Sequence, residues 1–249
     1  MKTLIVVPSY NRPYSIQQNT LFWLEQMNVD FKIFVYESQI KYYAQVTSKE
    51  NLIGCKDGIH LCGKLNVAYN YAVDNNYGLI FKVDDDMRFS RDGIKRSDKN
   101  YKKIAPQICM DFINEATKLF EDKNIGLINV AKFGSYKWEK DKGFKKRHKE
   151  IASNYYIRTE LMKNIHSELI IFDDLWVSLE TKLAGLDIYQ YFGAYEDAAT
   201  HRNKGGLQSY DRELISRKSY EYAKKIYPKI EIEQNSKHNI FDISVKKYF

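Results

Sequence analysis

Apolar positions in this chain come in short runs separated by polar punctuation, and the spacing within each run assigns it an element. Residues 4–7 are an unbroken buried-strand run, ended by Pro8, Ser9, Tyr10, Asn11, Arg12 and Pro13. Residues 31–36 alternate and are rich in aromatic and β-branched side chains, giving a second strand that ends near Glu37. A short third strand falls at 51–55, and a fourth at 79–83 runs straight into Asp84, Asp85 and Asp86. Helical spacing connects them. Leu21, Phe22, Leu24 and Met27 predict one amphipathic face; Leu61, Leu65, Ala68, Tyr69, Ala72 and Val73 predict another, stopped by Asn76, Tyr77 and Gly78. Further along, the pattern predicts a helix near 105–121, strands at 126–130, 155–157 and 188–192, and helices near 174–184 and 211–226. The last twenty residues are polar with scattered apolar anchors.

Strand and helix in alternation predict right-handed βαβ units, hence an α/β fold with a mostly parallel central sheet flanked by helices. Ligands of such sheets gather at the carboxyl ends of the strands. Asn11, Arg12, Glu37 and the three aspartates all fall at such ends.

Composition narrows the class. The chain has 249 residues, 44% of them hydrophobic, which suits a domain with a substantial core and excludes a disordered or low-complexity protein. Three cysteines without metal-ligand spacing argue against a disulfide framework and a zinc site. The first apolar run is too short for a signal peptide and no stretch is long enough to span a bilayer, which predicts a cytoplasmic protein without stable membrane insertion. The net charge of +7 is local. Residues 132–149 hold eight Lys/Arg against two acids, a net +6; residues 91–103 hold six against two, a net +4; the remainder is net negative. A local excess of this kind marks either a polyanionic partner or a solvated basic loop.

The acidic triplet carries the most chemistry. Three carboxylates at the mouth of a buried strand repel one another, and oxygen ligands suit Mn²⁺ or Mg²⁺. Alternation along an extended chain puts Asp84 and Asp86 on one side and Asp85 on the other. Asp173 and Asp174 open a helix whose dipole favours negative charge, so one can cap it while the other faces a cleft; because Asp is a favoured cap, the alternative is that both are capping residues. His201 can complete a carboxylate-held metal site or be a surface loop residue. Arg202 and Lys204 beside Gly205 and Gly206 can wrap a diphosphate, or mark an ordinary turn.

Five of these segments, in order, resemble nucleotide-sugar glycosyltransferases of the GT-A fold (family 2-like). The segment 7–13 resembles their opening, and 83–86 their Asp-x-Asp strand end. The segment 63–72 is similar to their Gly-x-x-x-Ala-x-Asn helix beside the donor nucleotide, although no Arg precedes Asn66. The segment 172–179 is similar to the later acidic pair, where inverting members place the base, and His201 follows the next strand, where many members place a metal-binding His. The resemblance spans roughly 3–205. It implies a glycosyltransferase domain at 1–205, with a nucleotide and metal half at 1–90 and an acceptor half at 105–205, then a helical or irregular C-terminal extension at 206–249. It further implies a nucleotide-sugar donor, most simply a UDP-sugar, bound by Pro8, Tyr10, Asn11, Arg12, Glu37, Lys64, Asn66, Asp84 and Asp85. The resemblance also implies that Asp84, Asp86 and His201 hold Mn²⁺ or Mg²⁺ and that Asp174, or Asp173, is the base.

For the acceptor, Trp138, Lys145, Lys146 and Arg147 stand out: cations neutralise phosphates and aromatics stack on bases. The compact chain also resembles phage enzymes that glycosylate hydroxymethylated pyrimidines in DNA, which implies duplex DNA as a partner and the host cytoplasm as location. A cell-surface polysaccharide or lipid-linked glycan is the alternative acceptor. A non-catalytic DNA-binding module on a degenerate GT-A fold, and a nuclease or nucleotidyltransferase using the clustered aspartates, are readings of other classes.

Overall fold

The computed structural model describes residues 1–92, 101–147, 153–196, 211–237 and 240–245. The chain opens with strand β1 (Thr3–Pro8), then a helical segment built from α1 (Pro13–Ile16), a π-helical turn (Gln17–Leu21) and α2 (Phe22–Leu24). β2 (Phe31–Tyr36), α3 (Ile40–Tyr43), β3 (Leu52–Cys55), α4 (Leu61–Asp74) and β4 (Leu79–Lys82) follow. After the acidic turn come β5 (Phe89–Ser90), α5 (Tyr101–Leu119), β6 (Ile125–Lys132), α6 (Phe133–Trp138) and β7 (Phe144–Arg147). β8 (Tyr155–Arg158), α7 (Asp173–Leu183), β9 (Asp187–Glu196), α8 (Arg212–Ile226) and the hairpin β10 (Ile232–Lys237)–β11 (Ile240–Val245) complete the chain.

Nine strands form one sheet in the order β3-β2-β1-β4-β8-β6-β9-β5, with β7 also on β9. β1, β2, β3, β4, β6 and β9 run one way; β5, β7 and β8 oppose them. The α/β architecture with a mostly parallel sheet is therefore present as the pattern predicts. The opposed strand β8, between β4 and β6, has a consequence for the site: its first residues lie at the same sheet edge as the last residues of β4.

Both faces of the sheet are buried, as strands covered by helices require. On β1, Ile5 and Val7 join a core formed with Leu21, Trp23, Leu24, Phe112 and Phe120, whereas Leu4 and Val6 face a second core formed with Leu65, Ala68, Trp176 and Leu179. Tyr227, just past α8, packs on the second face, stacked on Trp176 with its hydroxyl donating to Glu180 Oε1 at 2.6 Å.

Two local expectations change. The first helix buries Trp23 fully and Phe22 only in part, because the π turn rotates the residues after it relative to a regular α-helix. The polar C-terminal stretch forms a hairpin after α8 rather than an irregular tail.

Close packing of β6 on α7 makes one stability prediction. A Cβ added at Gly126 falls 2.6 Å from Thr181 Cγ2 and 3.0 Å from both Leu161 Cδ1 and Leu186 Cβ. Gly126→Ala is expected to lower stability by about 1–3 kcal/mol through overpacking, read as a reduced urea midpoint at unchanged slope.

Candidate functional site

The polar groups of the carboxyl edge meet around one buried amine. Lys82, the last residue of β4, lies in an otherwise apolar strand, and its side chain is only 2% exposed. Its Nζ sits 2.6 Å from Asp84 Oδ1 and 3.2 Å from Asp173 Oδ2, and donates to the Ser153 carbonyl at 2.7 Å. Burial opposes its charge, but Asp173 and Asp84 together outweigh that and hold the amine protonated more firmly than an ordinary lysine.

β8 supplies the other anchors. Tyr155 donates its hydroxyl to Asp173 Oδ2 at 2.9 Å. Asn154 accepts from the Asp84 backbone N–H at 2.6 Å and donates to Glu196 Oε2, also at 2.6 Å. Burial pushes the Glu196 carboxyl up to about 8, helped by the Asp84 charge and opposed by the Asn154 bond.

A second cluster forms at the end of β1. Arg12 Nη1 lies 3.0 Å from Asp85 Oδ1 and 3.7 Å from Asp86 Oδ2. Ser9 donates to Asp85 Oδ2 at 2.6 Å and also bonds the Tyr43 hydroxyl, which accepts from the Arg12 backbone N–H. The buried Lys64, from the first turn of α4, donates to the Ser9 carbonyl and lies 4.3 Å from the Tyr36 ring centroid and 5.4 Å from that of Tyr10. Its desolvation lowers it to about 8. The acidic turn is held from beneath by the π turn, where Thr20 donates to the Asp84 carbonyl and accepts from the Met87 N–H, while Trp23 Nε1 donates to the Met87 carbonyl.

The alternation expected of the triplet is absent. β4 ends at Lys82, so Asp84–Asp86 is a turn: Asp84 goes to Lys82, while Asp85 and Asp86 share Arg12. Two protein cations thus already offset part of the repulsion that, in the sequence, called for a metal. Part remains at Asp86, which burial followed by Asp85 and Asp84 pushes up to about 6 against the pull of Arg12. Among the described residues, no group of three or more His, Cys, Asp or Glu side chains is arranged to hold a metal. The acidic turn still offers carboxylate oxygens, the donor type that hard divalent ions take alongside substrate phosphates. His201, Arg202, Lys204, Gly205 and Gly206 lie outside the described residues.

At α7, neither aspartate caps the helix. Phe172, in the left-handed region (φ 65°), holds the cap position, and no side chain caps there. Asp173 is buried and doubly anchored, as above. Asp174 is half-buried, its Oδ1 accepting from the Leu175 N–H at 3.0 Å, and burial followed by the Asp173 charge pushes it up to about 6.

Other predicted residues scatter along the same edge or away from it. Pro8 ends β1; the exposed Asn11 (φ 54°) donates its N–H to Gln39 Oε1; Glu37 is exposed and Asn66 half-buried on α4. Within the basic segment, Lys145 pairs with Glu139 at 2.7 Å and Asp141 at 3.3 Å, Lys146 with Asp187 at 2.6 Å, and Arg147 donates to Gln190 at 2.9 Å. Trp138 is 82% exposed.

No protein-family model matches this chain, and no curated protein matches it. Solved structures do. The S. aureus TarS structure matches at 14% identity over 90% of this chain and 40% of that one, with a TM-score of 0.49. CMP:2-keto-3-deoxy-manno-octonic acid synthetase complexed with CTP matches at 12% identity over 77% and 89%, TM-score 0.47. A197 from STIV matches at 12% identity over 82% and 89%, TM-score 0.44. Likeness this distant leaves the function of this chain to its own residues.

Sequence reasoning missed Lys82, Ser9, Tyr43, Asn154, Tyr155 and Glu196. Only Lys82 carried a signal: one charge inside an apolar strand, directly before the triplet.

Glu196 gives a pH test. Its folded value, near 8, exceeds the ordinary one, so the stability of its protonated form is full below about 4.5 and is lost as pH rises through about 8. Glu196→Gln keeps an acceptor for Asn154 and cannot ionise. It is expected to gain on the wild type by at most about 1.4 kcal/mol per pH unit between 5 and 8, measured by urea denaturation at each pH.

Proposed function

We propose that this chain is a GT-A-type glycosyltransferase, moving a sugar from a nucleotide-diphosphate-sugar to an acceptor hydroxyl with inversion. The observation that carries the reading is the meeting, through Lys82, of the acidic turn after β4 with the carboxylates that open α7. A metal-binding turn and a base brought close to one another are what such a transfer needs. Asp84 and Asp86, now paired with Lys82 and Arg12 respectively, would hold Mn²⁺ or Mg²⁺ with His201 as a further ligand, and the ion would supply charge neutralisation for the leaving diphosphate.

Asp173 and Asp174 divide the remaining work. Asp173 is committed to Lys82 and Tyr155, which leaves Asp174 to meet the acceptor. A carboxylate near 6 is ionised at neutral pH yet more basic than an ordinary aspartate, which suits a general base. It takes the acceptor O–H proton as that oxygen attacks the anomeric carbon; the bond from that carbon to the diphosphate oxygen breaks, and the diphosphate leaves with the electron pair. Arg12, Lys64, Tyr10, Asn11, Pro8, Glu37, Asn66 and Asp85 form the donor side. A nucleotidyltransferase could use the same carboxylate, and the donor screen below separates the two reactions.

The decisive experiment is a screen of nucleotide sugars with Mn²⁺, UDP-sugars first, with and without duplex DNA carrying hydroxymethylated pyrimidines. Asp86→Ala is expected to abolish both Mn²⁺-dependent donor binding by calorimetry and turnover. Asp174→Asn is expected to lose about 10²–10⁴-fold in turnover while donor affinity is nearly kept. Donor binding that ignores EDTA refutes the metal role, and a retained anomeric configuration refutes the base.

Duplex DNA is the acceptor we favour, supported by the exposed Trp138 with the Lys137 amine 5.7 Å from its ring centroid. Lys145 and Lys146 must give up their carboxylates before meeting phosphates. Trp138→Ala is expected to lower transfer to hydroxymethylated duplex more than it changes the salt dependence of band-shift affinity, which should fall with a log–log slope of about −0.9 per phosphate neutralised. Transfer to an oligosaccharide or lipid-linked acceptor without duplex binding at low salt replaces this with the glycan reading.

A further inference from the structure

One buried cation touches both halves of the site. Lys82 Nζ contacts Asp84, on the donor side, and Asp173, on the acceptor side, and its third bond, to Ser153, ties it to the backbone just before β8. Asp173 has one further tether, the Tyr155 hydroxyl. Asp174 follows Asp173 in the first turn of α7, so whatever fixes Asp173 fixes where Asp174 is presented. Among the described residues, the charged and titratable groups that act electrostatically on Asp174 include Asp173 on its own helix, Lys82 from β4, Lys132 at the end of β6, Tyr155 from β8 and Cys62 from α4. Lys82 reaches both the turn and the helix.

We propose that Lys82 is a positioning residue of the transfer, setting the placement of Asp174 relative to the donor-bearing turn by holding Asp173 and Asp84 on one ammonium. This rests on the reading of Asp174 as base. Lys82 contacts no reacting atom in the role; it acts through Asp173. A purely structural lysine would support the fold equally well but would leave the contribution of Asp174 to turnover unchanged.

A double-mutant cycle separates the two, because coupled residues are non-additive. Wild type, Lys82→Met, Asp174→Asn and the double variant are assayed with Mn²⁺ and a UDP-sugar panel. Both transfer to hydroxymethylated duplex and donor hydrolysis by water are read, since each uses the same base. Asp174→Asn is expected to cost about 10²–10⁴-fold in wild type and at least about fivefold less in the Lys82→Met background. With Asp174 intact, Lys82→Met should also move the acid limb of the kcat profile to higher pH, since a cation favouring the ionised base is gone. If Asp174→Asn costs the same factor in both backgrounds, Lys82 is structural and the proposal falls. If it costs nothing in wild type, or no turnover appears at all, the base reading has failed and this inference falls with it. Should Lys82→Met not fold, Tyr155→Phe goes through the same cycle: it removes one tether from Asp173 without stranding a buried charge. A smaller coupling of the same sign is then expected, and additivity overturns the proposal.

Discussion

A carboxylate-rich edge on a dry sheet is stable only if its charge is met from within, and here the meeting point is the ammonium of Lys82. Asp84 and Asp173 belong to elements about ninety residues apart in the chain, yet each points an oxygen at that one nitrogen. Removing Lys82 would leave the buried Asp173 without its cation, and breaking a buried pair in this way typically costs about 3–5 kcal/mol. The site and the stability of the sheet edge are therefore the same problem. Arg12 solves the smaller version of it for Asp85 and, less completely, for Asp86.

Topology makes that arrangement reachable. A sheet of parallel strands alone delivers only strand ends to its carboxyl edge. The opposed β8 delivers strand beginnings there as well, and Asn154 and Tyr155 arrive by that route to clamp Asp84, Glu196 and Asp173. The helices need only bring carboxylates to positions already prepared. On α7 this happens without a capping side chain, through a left-handed Phe172 that aims the first turn.

Much of this was readable from residue order. Apolar periodicity located β1, β2, β4, β6, β9 and the helices α4, α5, α7 and α8 within a few residues, because each is buried on a regular face. The small β5 and β7 were not readable: two and four residues carry no period, and Phe144–Arg147 reads as a charge run before its pairing with β9 is known. The aspartates were legible as chemistry, but their partners were not. Asn154, Tyr155 and Glu196 are polar residues of ordinary appearance whose importance comes from contacts 18 to 70 positions away, which no local pattern encodes. The charge of 132–149 was legible as a sum. The pairing of Lys146 with Asp187 was not, since it comes through the β7–β9 pairing.

The π turn at Gln17–Leu21 places part of the specification in a count of residues. Each residue removed from a helix swings everything beyond it through about 100°. Thr20, within that turn, and Trp23, just beyond it, reach the carbonyls of Asp84 and Met87, so their reach depends on its residue count. A single-codon deletion among the exposed residues of that turn touches no acid and no buried side chain. It would nonetheless turn the supporting hydroxyl and indole away from the acidic loop, so spacing between Pro13 and Trp23 is as much a part of the site as any carboxylate in it.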